Sequence, residues 1–417
     1  AAISRGWVGI SMNHDSQRWI TLLACMVSAM CAGFAYAWSV FQKPLMSLYQ
    51  WSAADMSLSF TLIMSTGAVV AIFAGKALDY LRVKQLLLIG GVFFGAAIAG
   101  IGFVQTLPQL YGCATMAGIG VGIIYPGATM ANIVRYFPDR PGMVSGLLAA
   151  GYGLGGVIWA PVSAALISGF GTLTALKILG SCFLLVVCIV SRAVSNAPDG
   201  YRPLDWQPAA GTGRTAAGVD KTWQEMLKDP AFYLIATVFA LGGITGMMLI
   251  GHASPILQTL LGVTPQAAAG IVGLLLVANT GGKVLWGWLS DKVGRKPVVL
   301  LLFGLGAAAM AALPVLNGYY TTVGIVLTVG LCYGGFLAIM APITASLFGS
   351  KNLGINFGIM FLTIGIAAYV GPLMAAVITQ ANSGDYSKAF VIAAVINLAG
   401  IGFFTAFNWY HKRRSTR

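Results

Sequence analysis

The sequence predicts an all-α membrane protein in which twelve transmembrane helices form two repeats of six. Three observations lead to this fold class. Of the 417 residues, 58% are hydrophobic and only 8% are charged, whereas a typical soluble domain has about a quarter charged residues. The apolar residues form twelve runs that are each long enough to cross a bilayer. The two halves of the chain also resemble each other when one is shifted by 212 residues.

The twelve apolar runs give the first outline of the structure. A transmembrane helix needs about 20 apolar residues to cross the hydrocarbon core. The runs cover residues 18–41, 54–75, 86–105, 109–133, 142–168, 173–194, 231–257, 265–289, 297–316, 320–346, 354–380 and 387–410. Trp19, Trp38, Trp51 and Trp409 lie at run ends, where amphipathic rings prefer the interface between lipid and water.

One long polar segment divides the chain into two bundles. We predict a lead-in at 1–17, six-helix bundles at 18–194 and 230–410, a linker at 195–229 and a tail at 411–417. The linker can be a flexible tether between the bundles, or a loop with no role of its own. Its last part, "TWQEMLKDP", has helical spacing, and we predict that it lies along the membrane surface.

The repeat aligns four glycines and one aspartate of the first half with the same residue types in the second half. A shift of 212 residues places Gly75, Asp79, Gly142, Gly146 and Gly153 on Gly287, Asp291, Gly354, Gly358 and Gly365. Membrane proteins built from two such repeats have their binding site between the halves, near the middle of the bilayer.

The distribution of basic residues predicts the orientation of the chain. The formal net charge is +13, but the basic residues are scattered over short loops, which argues against a nucleic-acid partner. With a cytoplasmic N-terminus, the even-numbered loops and both termini carry 20 of the 24 Lys and Arg residues. Cytoplasmic loops have such an excess, so we predict a multi-pass protein, surrounded by the lipid bilayer, with both termini in the cytoplasm.

Two loops carry a recurrent motif. The loop after run eight, "GWLSDKVGRK" at 287–296, fits the signature G-x-x-x-D-(R/K)-x-G-(R/K)-(R/K) at every position, and the matching loop "GKALDYLRVK" has Arg82 in place of a glycine. The chain thereby resembles the major facilitator superfamily, whose loop motif holds the halves together on the cytoplasmic side. The resemblance implies a cytoplasmic gate, for which the candidates are Gly75, Asp79, Gly287, Asp291 and Arg295.

Within that superfamily, three segments resemble the oxalate/formate antiporter family, which includes bacterial carriers of lactate and pyruvate. They read "GFAYAWSVFQKPL", "RYFPDRPGMVSGLLAAGYGLG" and "GKVLWGWLSDKVGR". The resemblance implies a bacterial inner-membrane protein in which Lys283 binds the substrate carboxylate. It also places Ile364 where the oxalate carriers have a second cation. The aromatic pocket positions that it implies are Tyr36, Tyr125, Tyr152, Tyr333 and Phe361.

Lys283 stands out from the residues alone, because it is the one charged residue well inside an apolar run. A lone ammonium in hydrocarbon is costly and usually marks a substrate path. Asp55, at the very start of the second run, is the one acidic residue within the runs, so no carboxylate lies deep enough to neutralise Lys283 and the natural counter-ion is an anionic substrate. The alternative is that Lys283 extends to the cytoplasmic interface, since Gly287 is only about 6 Å further along the helix.

Further polar residues can complete the site. Asn279 precedes Lys283 by one helical turn and shares its face, so it can orient the ammonium, touch the substrate or simply bond a neighbouring helix. Tyrosine hydroxyls can donate to a carboxylate, although each can equally serve helix packing. His252, at the outer end of run seven, is a proton-coupling candidate together with Lys283, or else an ordinary interfacial histidine.

These features favour a proton-coupled carrier of small monocarboxylates such as lactate, pyruvate or formate. An exchanger of oxalate or another dicarboxylate is the first alternative, and a membrane carboxylate sensor is the second. No acid–base pair or metal-ligand spacing is visible, and the six cysteines all lie in apolar stretches. We therefore expect neither an enzyme nor a cofactor or metal, and we expect a monomer.

Overall fold

The computed structural model describes residues 14–198, 201–203, 220–316 and 318–415. Twelve of the helices in these ranges are long and apolar enough to cross a membrane, which confirms the predicted fold class. The spans are Ser16–Ala37, Leu58–Ala77, Val83–Ile101, Leu107–Tyr136, Pro141–Phe170, Thr172–Ser191, Pro230–Gly251, Gly270–Val293, Arg295–Ala312, Tyr319–Phe348, Leu353–Ala381 and Ser387–Arg413. Most of the predicted lead-in and linker lies outside the described residues.

The N-terminal half contains eight helices, because two of its spans are interrupted. Its helices are α1 (His14–Ala32), α2 (Ser39–Tyr49), α3 (Ala53–Ala77), α4 (Val83–Ile101), α5 (Leu107–Gly122), α6 (Thr129–Tyr136), α7 (Pro141–Phe170) and α8 (Thr172–Ser191). A 3₁₀ segment at Gly33–Ala37 separates α1 from α2, and a π-type segment at Ile123–Ala128 separates α5 from α6.

The C-terminal half begins with a short helix and also has one broken span. Its helices are α9 (Trp223–Lys228), α10 (Pro230–Gly251), α11 (Ala253–Leu261), α12 (Pro265–Val293), α13 (Arg295–Ala312), α14 (Tyr319–Phe348), α15 (Leu353–Ala381) and α16 (Ser387–Ser415). The break between α10 and α11 falls at His252, and α16 continues into the segment that we predicted to be a tail. Nothing in "HKRRS" interrupts a helix, since it contains neither Gly nor Pro.

Small residues allow the helices of each half to pack backbone to backbone. A Cβ atom on Gly180 would lie 2.1 Å from the backbone nitrogen of Ala99, and one on Gly120 would lie 2.5 Å from that of Phe94. Lipid gives apolar side chains little reason to associate, so close backbone approach at small residues is a main source of helix association in membranes. The abundant glycines of this chain therefore have a packing role.

Both ends of the linker are fixed to the half from which they emerge. The Tyr136 hydroxyl bonds the Ser195 hydroxyl at 2.6 Å, and the Ala197 amide donates to Asn132 Oδ1 at 2.9 Å. At the other end, the Lys221 amide donates to the Phe348 carbonyl at 2.9 Å. We call the membrane face at which these linker ends lie the linker face. The beginning of α1 lies at the same face, where Thr21 contacts Ser195.

The predicted surface segment forms α9 and is fixed by a capping box. The Thr222 hydroxyl accepts a bond from the Glu225 amide, while the Glu225 carboxylate accepts one from the Thr222 amide at 2.7 Å. The Thr222 hydroxyl also donates to this carboxylate at 2.9 Å, and the bonds from the Thr222 amide and hydroxyl hold the Glu225 pKa below its usual range, because they favour the charged carboxylate. The same reciprocal pairing satisfies donors that the first turn of a helix otherwise leaves open.

Candidate functional site

The two halves meet along α7 and α12, where glycines bring the backbones into contact. A Cβ atom on Gly142 would lie 2.4 Å from the Gly287 carbonyl oxygen, and one on Gly146 would lie 2.1 Å from the Lys283 carbonyl oxygen. At Gly146 all the obstructing atoms are backbone atoms, so a side chain there would force the helices apart, whereas Gly142 also meets the Ser290 hydroxyl and the Asp291 carboxylate. This contact begins at the linker face and extends about 18 Å along α7 to Gly153, at 1.5 Å per residue.

A second contact between the halves joins α3 and α15. A Cβ atom on Gly75 would lie 2.2 Å from the Gly354 carbonyl oxygen, and one on Gly358 would lie 2.7 Å from Ile72 Cα. The repeat pairs Gly75 with Gly287 and Gly354 with Gly142, so the two contacts are counterparts. Two such contacts close the space between the halves at the linker face.

The loop motifs of the two halves make different contacts. Asp291 accepts bonds from the Gly142 and Met143 amides at 2.9 and 2.7 Å, and a carboxylate at the beginning of α7 is favourable for the helix dipole. Arg295 lies close enough for its charge to act on Asp291. Asp79, in the turn just after α3, instead pairs with Lys76 of that helix at 2.6 Å.

Arg135 makes a further bond between the halves that the sequence did not reveal. Its Nε donates to the Ser350 carbonyl at 2.9 Å, and its guanidinium also donates to the Lys351 carbonyl. Arg135 lies at the end of α6, whereas Ser350 and Lys351 form the loop between α14 and α15. Only a guanidinium offers several fixed donors of this kind, but nothing in the sequence marks two backbone carbonyls as its partners.

Four of the predicted pocket residues form a tyrosine cluster above this contact. The rings of Tyr125 and Tyr152 stack at 4.7 Å, and those of Tyr36 and Tyr152 meet edge to face at 5.1 Å. Tyr333 joins them from the other half, close enough for its hydroxyl to interact electrostatically with Tyr36 and Tyr125. Its buried hydroxyl has no hydrogen-bond partner among the described residues.

Interrupted helices position two of these tyrosines. Tyr36 lies in the 3₁₀ segment after α1, and Tyr125 has extended backbone angles (φ −144°, ψ 128°) between α5 and α6. Tyr36 remains 43% exposed, whereas Tyr125, Tyr152 and Tyr333 are all below 8%. The cluster is therefore buried on the side of the linker face and exposed at Tyr36.

Lys283 lies on α12 at the level of the tyrosine cluster, with 3% of its surface exposed. Its ammonium donates to the Ala149 carbonyl of α7 over a long distance, 3.4 Å. No described carboxylate lies within 4.0 Å of it, since the ion pairs found in the described ranges involve other residues. An ammonium has three donors, so this environment leaves Lys283 able to bind an anion.

Asn279, one turn from Lys283 on α12, and Phe361 on α15 make contacts of their own. The Asn279 amide donates to the Gly330 carbonyl of α14 at 3.1 Å, which is the interhelical bond that the sequence left open as one reading. Phe361 contacts Phe357 one turn earlier on α15, at 5.8 Å between ring centroids, and makes no ring contact with the four tyrosines. Their roles in binding stay predictions.

His252 connects three spans of the C-terminal half at the face opposite the linker. Its Nε2 lies 3.0 Å from the Pro372 carbonyl oxygen and its Nδ1 lies 3.2 Å from the Tyr386 hydroxyl. A carbonyl only accepts, so Nε2 carries the proton. Nδ1 can accept from the tyrosine, or donate to it once the ring is protonated.

We expect a His252→Gln variant to keep its affinity for substrate within about tenfold, equivalent to about 1.4 kcal/mol, while its pH profile moves. The reason is that Gln can replace one of the two hydrogen bonds but cannot titrate near neutral pH. Equilibrium binding measured across a pH series checks this. Complete loss of binding in a folded variant would show that His252 contacts the substrate directly.

Metal binding has no support in the part of the chain that the structure describes. No group of three or more His, Cys, Asp or Glu side chains there could hold a metal ion. The six cysteines are free and are buried or partly buried within helices.

Two repeated bundles that meet at one membrane face, around a buried cation, have the architecture of a secondary transporter. The family model of the Major Facilitator Superfamily matches residues 19–278 and 241–417. The chain belongs to the major facilitator superfamily.

Several relatives are similar over most of their length. YhjX of Escherichia coli, described as an uncharacterized MFS-type transporter, is 26% identical over 362 residues, which cover 85% of this chain and 87% of the relative. The oxalate:formate antiporter of Oxalobacter formigenes is 26% identical over 406 residues, 95% of this chain and 93% of the relative. Monocarboxylate transporter 12 of Xenopus laevis is 23% identical over 400 residues, which cover 90% of this chain and 85% of the relative.

Proposed function

We propose that this protein is a secondary carrier of small monocarboxylates, such as lactate, pyruvate or formate, and that Lys283 binds the carboxylate. The observation that carries the proposal is a buried ammonium between the two halves with no carboxylate within ion-pair distance among the described residues. Burying a charge is costly unless it is paired. A substrate with one negative charge would neutralise Lys283 and leave no excess charge in the site.

The tyrosine cluster suits a small substrate with an apolar part. Its rings form apolar walls, and the Tyr333 hydroxyl is an unused donor that can bind a carboxylate or hydroxyl oxygen. Two of the relatives are named for carboxylates, one as an oxalate:formate antiporter and the other as a monocarboxylate transporter. Both names favour a small carboxylate as the substrate class here.

The closed linker face suggests how access alternates. We propose that this face is cytoplasmic, in line with the bias of basic residues, and that Gly75, Gly287, Asp291 and Arg295 form the gate there, with Asp79 in a lesser role. Rocking of the halves would break the two glycine contacts and expose Lys283 to the cytoplasm. The protein would then be a multi-pass protein of a bacterial inner membrane that works as a monomer.

Proton coupling is the mode of transport that we expect. We predict that an inward proton gradient drives uptake of lactate into proteoliposomes that contain no counter-anion. Lys283 and His252 are the groups that can carry the proton, because the described spans hold no acidic residue beside the site. Radiolabelled uptake at imposed pH gradients, compared for lactate, pyruvate, formate and oxalate, makes the measurement. Uptake that requires a preloaded anion and ignores the pH gradient would refute symport.

Anion exchange with oxalate is the second candidate, and the 26% identity with an oxalate:formate antiporter favours it. A dicarboxylate carries two negative charges, whereas Lys283 supplies one positive charge. Ile364, which the family resemblance places at the second cation, is buried and apolar. The same uptake experiment separates the candidates, since an exchanger would take up oxalate faster when the vesicles are preloaded with formate.

A further inference from the structure

Gly153 on α7 leaves room for two polar side chains of the opposite half. A Cβ atom on Gly153 would lie 2.8 Å from Thr280 Oγ1 and 2.9 Å from Lys283 Nζ. Both side chains are withdrawn from solvent, with 7% and 3% exposure. The ammonium and the hydroxyl therefore converge on a point of α7 where no side chain is present.

The contact at Gly153 differs in kind from the contact at Gly146, two turns earlier on α7. At Gly146 the obstructing atoms belong to the backbone of α12, so this glycine allows the helices to touch. At Gly153 the two nearest atoms are the ends of side chains. A methyl group there would displace the ammonium and the hydroxyl, while the helices would stay in place. Gly153 thus acts on the position of a charge rather than on helix packing.

Thr280 is placed to act together with Lys283. It precedes the lysine by three residues on α12, so the two side chains share a face. Their polar ends lie within 2.9 Å of the same point. A carboxylate has two oxygens, and it can accept one bond from a hydroxyl and a second, charge-assisted bond from an ammonium.

We propose that Gly153 positions the Lys283 ammonium beside the Thr280 hydroxyl, and that these two groups bind one substrate carboxylate together. The proposal rests on the proposed function and deepens it, since it adds Thr280 as a substrate ligand and Gly153 as a positioning residue. Binding would also replace the long bond from Lys283 to Ala149 with a shorter, charge-assisted bond. Because Ala149 and Lys283 belong to different halves, the substrate takes over a bond that joins them.

The test uses the purified full chain and two independent readouts. One is equilibrium binding of formate, lactate, pyruvate and oxalate. The other is the rate of reductive methylation of Lys283 without any added anion, measured by peptide mass spectrometry. The variants are Gly153→Ala, Thr280→Val and Thr280→Ser. Gly281→Ala on α12 is the matched control, because a Cβ atom there would have no neighbour within 4 Å.

We expect Gly153→Ala to weaken binding about tenfold or more, the range for a lost charge-assisted bond, and to accelerate methylation severalfold. Thr280→Val should weaken binding to a similar degree, Thr280→Ser should retain it, and Gly281→Ala should change neither readout. The melting temperature of each variant shows whether it folds. Should Gly153→Ala fail to fold, the Thr280 pair still decides whether the hydroxyl binds substrate.

The outcomes separate this proposal from the proposed function. If the wild type binds these acids and both Gly153→Ala and Thr280→Val bind them equally well, the function stands and the present proposal is wrong. If the wild type binds none of them, the proposed function fails. The methylation rates then still decide whether Gly153 positions the ammonium, because an unchanged rate in Gly153→Ala refutes that role.

Discussion

We expect Lys283→Gln to abolish saturable binding of lactate while the purified protein remains folded. The glutamine side chain is of similar length but cannot neutralise a carboxylate. Truncating one partner of a desolvated charge pair typically costs about 2–5 kcal/mol, equivalent to roughly 30- to several-thousand-fold in affinity. Folding should survive, because the ammonium makes only one long bond to the protein and its burial is itself unfavourable.

Two further variants make this result specific. Lys283→Arg should retain part of the affinity, since the charge persists while the planar guanidinium changes the geometry. Lys292→Gln on the same helix is the matched control, because Lys292 is exposed and its ammonium lies over the Trp288 ring at 4.2 Å. Binding by calorimetry and melting by thermal shift complete the measurement. Undiminished lactate affinity in Lys283→Gln would exclude it as the carboxylate ligand.

Most of the fold could be predicted because lipid imposes a simple rule on sequence. Each span must be apolar over about 20 residues, so the twelve runs were visible without any tertiary information. Interruptions inside spans were not visible. Tyr125 departs from helical geometry just before Pro126, but Pro161, Pro342 and Pro372 lie inside continuous helices, so proline alone did not mark the break. The break before α11 at His252 likewise has no signal that distinguishes it from many other glycine-rich positions.

Only some residues of the site could be predicted from the sequence, and there is a physical reason why the others could not. Lys283 was recognisable because a charge in an apolar run is exceptional. Thr280 and Gly153 were not, because threonine and glycine are ordinary residues in membrane helices. Their importance follows from the relative placement of α7 and α12, which the sequence does not state. The 212-residue repeat did mark Gly153, through its pairing with Gly365, but gave it no role.

The loop motifs show the same limit. The complete motif of the second half places Asp291 on the first amides of α7. The incomplete motif of the first half, with Arg82 in place of a glycine, has Asp79 paired with Lys76. On that side the Arg135 guanidinium bonds the loop before α15 instead. The sequence showed that the first-half motif is incomplete. Only the coordinates show that Arg135 makes the contact between the halves on that side.

A Gly75→Val variant is expected to open the linker face and to stop transport. Its Cβ atom would lie 2.2 Å from the Gly354 carbonyl oxygen and 2.9 Å from the Ile355 nitrogen, both of which are backbone atoms that cannot rotate away. Overpacking of this kind typically costs about 1–3 kcal/mol, which corresponds to a shift of roughly 5- to 150-fold in a two-state equilibrium. Because the cost falls only on the state in which α3 and α15 touch, the other state gains population.

Spin labels at Lys84 and Lys296 report this change, since both side chains are exposed at the linker face, one in each half. In a background without the six native cysteines, the distance between labels should increase in Gly75→Val, and lactate uptake should fall by at least about tenfold if closure limits the transport cycle. Gly112→Val serves as the control, because a Cβ atom there meets nothing within 4 Å. Binding should persist, since Gly75 contacts Gly354 and Ile355 on α15 rather than Lys283. An unchanged distance together with normal uptake would mean that the glycine contact between α3 and α15 does not control closure of this face.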